Sequence, residues 1–209
     1  MTMGRFIALE GGEGVGKSTQ GRLLADALRA RGLDVVTTRE PGGTAGAEAI
    51  RMMLLSTEGE GWGARAEALL FAAARADHVD KLIRPAVERG AWVVCDRFVD
   101  SSRAYQGGGG GLCDGDVLDL HRIGSEGLLP DLTLLLTVDP AVSAQRLALR
   151  DGDVADRIGG RGADYHARVA AAFRAFADAE PTRFGVIDAE GAPDEVHGRI
   201  MAALAGILA

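Results

Sequence analysis

Arg5-Phe6-Ile7-Ala8-Leu9-Glu10-Gly11-Gly12-Glu13-Gly14-Val15-Gly16-Lys17-Ser18-Thr19 is the stretch on which the fold of this chain turns. From Gly11 to Ser18 it fits G-x-x-x-x-G-K-[ST] without mismatch. The flanks give the match its meaning. Arg5 to Leu9 is a short apolar run of strand character, and Leu23, Leu24, Ala27 and Leu28 recur at helical spacing until Arg31-Gly32 supplies a basic last turn and a stop. Strand, glycine-rich turn and helix is the context a phosphate-binding loop requires. Glycines let successive backbone N–H groups curl around a triphosphate, and the helix that follows points its positive end at the same place. Lys17 then reaches the β- and γ-phosphates, and the Ser18 hydroxyl is placed for Mg2+.

Working outward, Leu33 to Thr38 reads as a second strand, Arg39 to Thr44 as a loop leaving its end, and Ala45 to about Leu55 as a helix. Ala64 to Arg84 is apolar on several sides, the pattern of a helix buried within the domain or against a partner subunit, with Pro85 kinking or restarting it and Gly90 ending it. Ala91 to Cys95 has the compactness of a central parallel strand and delivers Asp96-Arg97 at its carboxyl end. The run Gly107 to Gly111 reads as a flexible loop, Asp114 to Glu126 as a helix, and Leu132 to Val138 as a strand followed by a helix through Arg150. Asp151 to Gly162 is short of apolar residues and reads as a mobile segment; a helix, the strand Phe184 to Asp188 and a closing helix complete the chain. Strands alternating with helices predict a five-stranded parallel α/β sheet with right-handed crossovers, in a single domain spanning 1–209 with 151–162 as a lid-like segment.

Composition narrows the partners. A formal charge of −7 and a pI near 5.1 argue against a nonspecific nucleic-acid binder or an anionic-membrane binder, so an anionic ligand must be held by clustered arginines. No apolar run approaches the ~18 residues of a membrane span. With no signal-peptide pattern after Met1, the cytoplasm is the expected compartment, with Cys95 and Cys113 reduced. Neither cysteine has metal-ligand spacing and the four histidines are scattered, so no zinc site is expected.

Ligands of such sheets bind at the carboxyl ends of the strands, which here carry Glu10, Arg39 and Asp96-Arg97 beside the phosphate loop. Arginines separate from the P-loop lysine imply a second anion, because the guanidinium fork matches phosphate oxygens. The set points to phosphoryl transfer onto a phosphorylated acceptor, with Arg150, Arg157 and Arg161 as residues able to close over the transferring group and exclude water. A GTPase switch would need an N-K-x-D element, which is absent. A kinase for another small anionic acceptor and a nucleotide-dependent regulator remain the alternatives.

Glu10 to Ser18, Thr38-Arg39-Glu40-Pro41-Gly42-Gly43-Thr44, Asp96-Arg97-Phe98-Val99-Asp100-Ser101-Ser102-Arg103-Ala104-Tyr105-Gln106-Gly107 and Pro130-Asp131-Leu132-Thr133 together resemble the bacterial thymidylate kinases, P-loop nucleoside monophosphate kinases, over nearly the whole chain and in order. The resemblance implies a three-layer α/β/α fold and a homodimer that phosphorylates dTMP to dTDP with ATP and Mg2+, in dTTP biosynthesis. By matching position it implies that Gly11 to Thr19 bind ATP and that Lys17, Glu10, Arg97, Arg150 and Arg157 serve catalysis. Mg2+ falls to Ser18, Glu10 and Asp96. Arg39 and Arg97, with Pro41 beside them, would grip the dTMP phosphate; Phe71 would stack on thymine and Arg75 would hydrogen-bond a thymine carbonyl. Ser101, Tyr105 and Gln106 would line the base and deoxyribose, the Tyr105 ring crowding a 2′-hydroxyl. The phosphate loop holds no arginine, as in family members that supply one from the lid. Two positions depart from the family pattern: Gly159, where an acidic residue is common, and Gly110, where a basic one is.

Overall fold

The protein is described by a computed structural model covering residues 4–151 and 156–208. Its centre is a sheet of five parallel strands: β1 (Arg5–Glu10), β2 (Val35–Arg39), β3 (Trp92–Asp96), β4 (Leu132–Thr137) and β5 (Phe184–Asp188), in the order β2-β3-β1-β4-β5. The P-loop strand β1 is therefore central, and β3, read as a central strand, lies between it and the edge strand β2. Register brings Leu9 level with Asp96 and Arg39 level with Asp96, so the charged strand ends share one edge.

Alternation along the strands builds the layers. Ile7 and Leu9 of β1, Val94 of β3 and Leu134 and Leu136 of β4 pack with Leu24 and Leu28 of α1 (Lys17–Ala30) and, after β5, with Val196 and Ile200 of a helix at Pro193–Ala203. Their neighbours Phe6, Ala8, Val93 and Cys95 face the opposite layer, against Ile83, Ala86 and Phe98. That second layer holds α2 (Ala45–Leu55), α3 (Ala64–His78) continued by a π-helical turn at Val79–Ile83, α4 (Arg84–Glu88), α5 (Val99–Ser102) and α6 (Asp114–Ser125). Pro85 sits in the first turn of α4, where its missing N–H is tolerated. The helix α7 (Pro140–Asp151) leaves β4, and α8 (Ala163–Ala179) precedes β5.

One expectation is overturned here. Gly107 to Gly109 are not a flexible loop; they finish a π-helical segment, Arg103–Gly109, that follows α5. A Cβ on Gly108 would stand 2.5 Å from that of Ala172, and one on Gly109 would stand 2.6 Å from the Tyr165 ring. The missing side chains are what let α8 approach so closely. The turn proper begins only after them, with Gly111 at φ 82°.

Candidate active site

The carboxyl edge of the sheet opens into a cavity of about 540 Å³, with the phosphate loop at one end and α2, α3 and the segment after β3 at the other. The loop's shape rests on its glycines. Gly11 has φ 133° and a Cβ there would lie 2.4 Å from the Leu136 carbonyl oxygen, while Gly16, at φ 97°, caps α1 in a left-handed conformation that favours glycine. Lys17 Nζ donates to the Gly11 carbonyl at 3.1 Å and to that of Gly12. Burial, with Arg97 close by, brings its ammonium down to about 8. Ser18 Oγ donates to Asp96 Oδ2 at 2.8 Å, so β3 and α1 place two hard oxygen donors together.

Arg97 joins the loop to the acceptor end. Its backbone is held at φ 72°, uncommon for a side-chain-bearing residue, by the N–H bond to the Leu9 carbonyl at 2.9 Å. Its guanidinium donates to the Gly11 carbonyl and to Ser101 Oγ, both at 3.1 Å, and reaches Glu13 and the Tyr105 hydroxyl, with the Tyr105 ring 5.0 Å away. Arg39 is exposed and held by both Glu48 oxygens at 3.2 Å. Arg75 is 3% exposed: Nε donates to Glu40 Oε2 at 2.7 Å and Nη2 to Ser102 Oγ at 2.6 Å.

Of the residues expected in the site, Glu13, Gly14, Gly16, Lys17, Ser18, Thr19, Arg39, Pro41, Phe71, Arg75, Asp96, Arg97, Ser101, Tyr105 and Gln106 line this one cavity. Glu10 does not. It is fully buried beneath the cavity, accepting from Phe98 N at 2.8 Å, Ser101 N at 3.0 Å and Ser101 Oγ at 2.6 Å, and burial, then the like charge of Asp100, raises its carboxyl to about 7. It fixes the start of α5 and bears on the cavity from behind, through the lining residues Phe98 and Ser101. Gly11, Gly12 and Val15 shape the loop from behind.

Arg157 also faces elsewhere: it donates to the carbonyls of Ser56 and Glu58, each at 2.6 Å, and of Gly59 at 3.2 Å, in the α2–α3 loop. Loop carbonyls outside regular structure are open acceptors for a guanidinium, and Ile158 beside it is buried with Tyr105 and Phe173. Arg150 lies in α7, and its side chain is outside the described residues. Two arginines that the sequence reading passed over do line the cavity: Arg51 of α2, bonded to the Pro41 carbonyl at 2.8 Å, and Arg146 of α7, bonded to the Ala189 carbonyl at 3.2 Å. An arginine on a polar helix face resembles any solvated one, so only its helical register, four residues before Arg150, carried a signal for Arg146.

Among the described residues no three His, Cys, Asp or Glu side chains converge as an all-protein metal cage. Ser18 with Asp96 suits a divalent cation that keeps most of its ligands as water and phosphate oxygens. Among the described residues, too, no helix is long and apolar enough to cross a membrane.

The family model described as thymidylate kinase matches residues 9–200. A thymidylate kinase of Rhizorhabdus wittichii is 60% identical over 205 residues, covering 98% of this chain and 99% of the relative, and one of Nitrobacter winogradskyi is 50% identical over 202 residues, covering 96% and 88%. The crystal structure of thymidylate kinase from Ehrlichia chaffeensis superposes with a TM-score of 0.79 at 31% identity, covering 97% of this chain and 99% of that one. A match that takes in the phosphate loop, both arginine-bearing strand ends and the whole sheet places this chain in the thymidylate kinase family.

Proposed function

We propose that the chain transfers the γ-phosphoryl group of Mg·ATP to dTMP, giving dTDP and ADP. A phosphate oxygen of the acceptor attacks the γ-phosphorus, and the bond to the β,γ-bridging oxygen breaks with its electron pair leaving on ADP. The observation that carries this reading is that guanidiniums from β2, α2 and the turn after β3, those of Arg39, Arg51 and Arg97, border the same cavity as Lys17 and Ser18. Arg97 and Arg39 would hold the acceptor phosphate, with Arg51 adding charge from α2. Lys17 and the loop N–H groups would hold the β- and γ-phosphates. Ser18 and Asp96 would hold Mg2+, which draws charge from the migrating group when bound. Phe71, Arg75, Ser101, Tyr105 and Gln106 would form the base and sugar subsite.

Segment 151–162, of which 152–155 lie outside the described residues, acts as the lid of a single domain in this reading, and Arg150 and Arg157 join the reacting phosphates on closure. Arg157 does so by exchanging three carbonyl contacts for phosphate oxygens. Arg146 already stands at the cavity wall. A homodimer is supported by exposed Met52 and Met53 of α2, Leu69 of α3 and Ile123 of α6, on helices that pack side by side. The chain works in the cytoplasm, its two cysteines being free.

The test is ADP release with Mg·ATP against dTMP, dUMP, dCMP, dGMP, AMP, CMP, UMP and shikimate at several concentrations. Strong preference for dTMP is the expected outcome. If dTMP is inert and another acceptor works, the pocket assignment falls while the kinase reading stands; silence across the panel refutes both.

A further inference from the structure

Behind the base subsite just proposed lies a buried carboxylate that the phosphoryl-transfer chemistry leaves unused. Glu67, on α3, is 3% exposed. Its Oε1 accepts from Gln106 Nε2 at 3.0 Å, and its Oε2 accepts from the Arg161 guanidinium. Arg161 also donates from Nη1 to the Tyr165 hydroxyl at 2.8 Å, and that hydroxyl donates to the Tyr105 carbonyl, again at 2.8 Å. Glu67 thus ties α3 to the π-helical segment that carries Tyr105 and Gln106, with Arg161 as the backstop.

The consequence is chemical. A carboxylate held by a guanidinium can only accept, so the amide of Gln106 must turn its NH2 toward Glu67. That leaves Oε1, which makes no hydrogen bond to the described residues, as the group Gln106 offers to the cavity it lines. Arg75 is polarised the opposite way. Glu40 and Ser102 take Nε and Nη2, leaving Nη1 as a donor at the same wall. One acceptor beside one donor matches a ring that presents N–H next to C=O, the imide edge of thymine. A 4-aminopyrimidine presents an acceptor nitrogen next to an NH2 and is mismatched at both positions.

We infer that Glu67, backed by Arg161, is a positioning residue that locks the polarity of the Gln106 amide and so selects an imide ring over an aminopyrimidine ring. The inference rests on the proposed base subsite. Its readout is the ratio of kcat/KM for dTMP to that for dCMP, with Mg·ATP, together with a thermal melt of each protein. A site whose buried polar groups are left unpaired by the wrong ligand discriminates by about 10³-fold or more. In Glu67→Gln the new NH2 can donate to Gln106 Oε1 and allow the amide to turn, and the ratio falls roughly 10- to 100-fold, with the KM for dTMP rising more than kcat drops. Loss of a merely structural contact would lower both acceptors alike and leave the ratio in place; that result in folded Glu67→Gln protein overturns the inference.

If Glu67→Gln does not fold, Arg161→Met decides: a fall of roughly tenfold in the same ratio supports the inference, and no change refutes it. Gln106→Leu separates the two levels. If it leaves the ratio unchanged, the base does not lie at Gln106 and the subsite reading fails with the inference. If it changes the ratio and Glu67→Gln does not, the subsite stands and only the role of Glu67 falls.

Discussion

Glu10 offers a measurement in which burial and hydrogen bonding pull in opposite directions. Its carboxylate accepts three hydrogen bonds, from Phe98 N, Ser101 N and Ser101 Oγ, which favour ionisation. Complete burial, joined by the charge of Asp100, outweighs them and raises the group from 4.5 to about 7. Below the lower value both folded and unfolded chains hold the proton. Between the two values the folded chain keeps a proton that the unfolded chain has released, so raising the pH favours unfolding; above about 7 the effect is complete.

From about pH 5 to about pH 7.5 this amounts to a loss of about 2 to 3 kcal/mol. Glu10→Gln removes the titration while its amide oxygen still accepts from Phe98 N and Ser101 N, and its NH2 can meet Ser101 Oγ turned to accept. Urea unfolding of both proteins at the two pH values isolates the term, because His121, held down to about 4 by burial, contributes with the opposite sign to both. The stability difference between the two proteins should shift by about 2 to 3 kcal/mol in favour of Glu10→Gln on going to the higher pH. Parallel pH profiles would refute the reasoning and give the balance to the three donors.

Lys17→Ala should lower turnover on the order of 10²-fold or more at saturating ATP, measured by ADP release; near-normal turnover would remove Lys17 from the phosphates. Arg97→Ala should weaken acceptor-monophosphate binding by roughly 1.5–3 kcal/mol, read by titration calorimetry, and an unchanged affinity would take Arg97 out of the acceptor site. Asp100 is fully buried and holds Arg183 at 2.6 and 2.8 Å and Arg103 at 3.0 Å. Asp100→Ala leaves both guanidiniums without that partner and should destabilise the fold by about 3–5 kcal/mol in urea melts. Gly109→Ala would put a methyl group 2.6 Å from Tyr165 Cε2 and 2.8 Å from Val169 Cγ2, and should lower stability by about 1–3 kcal/mol; an unchanged melting temperature would mean that α8 yields easily.

The phosphate loop was legible because it is contiguous. Gly11 to Ser18 sits between the last residue of β1 and the first turn of α1, so a local pattern specifies a local structure. Arg39, Asp96 and Arg97 were legible for a more general reason: parallel strands that alternate with helices send all their carboxyl ends to one edge, and the adjacency of β2, β3 and β1 then brings these residues together. Other features depended on partners remote in the chain. Glycine marks either freedom or close approach, and only Ala172 and Tyr165, packed against Gly108 and Gly109, decide between them. Glu67 reads as one acid in an apolar helix until folding sets Gln106 and Arg161 on either side of it. The resting place of the Arg157 guanidinium, on carbonyls of the α2–α3 loop, is likewise set only by folding. Sequence by itself determined the alternating architecture, the phosphate loop and the strand-end charges, since each follows from periodicity or adjacency. Tertiary structure alone decided which helix arginines enter the cavity, where Glu10 is buried and which way the amide of Gln106 faces, because those outcomes depend on side chains that meet only once separate elements have packed.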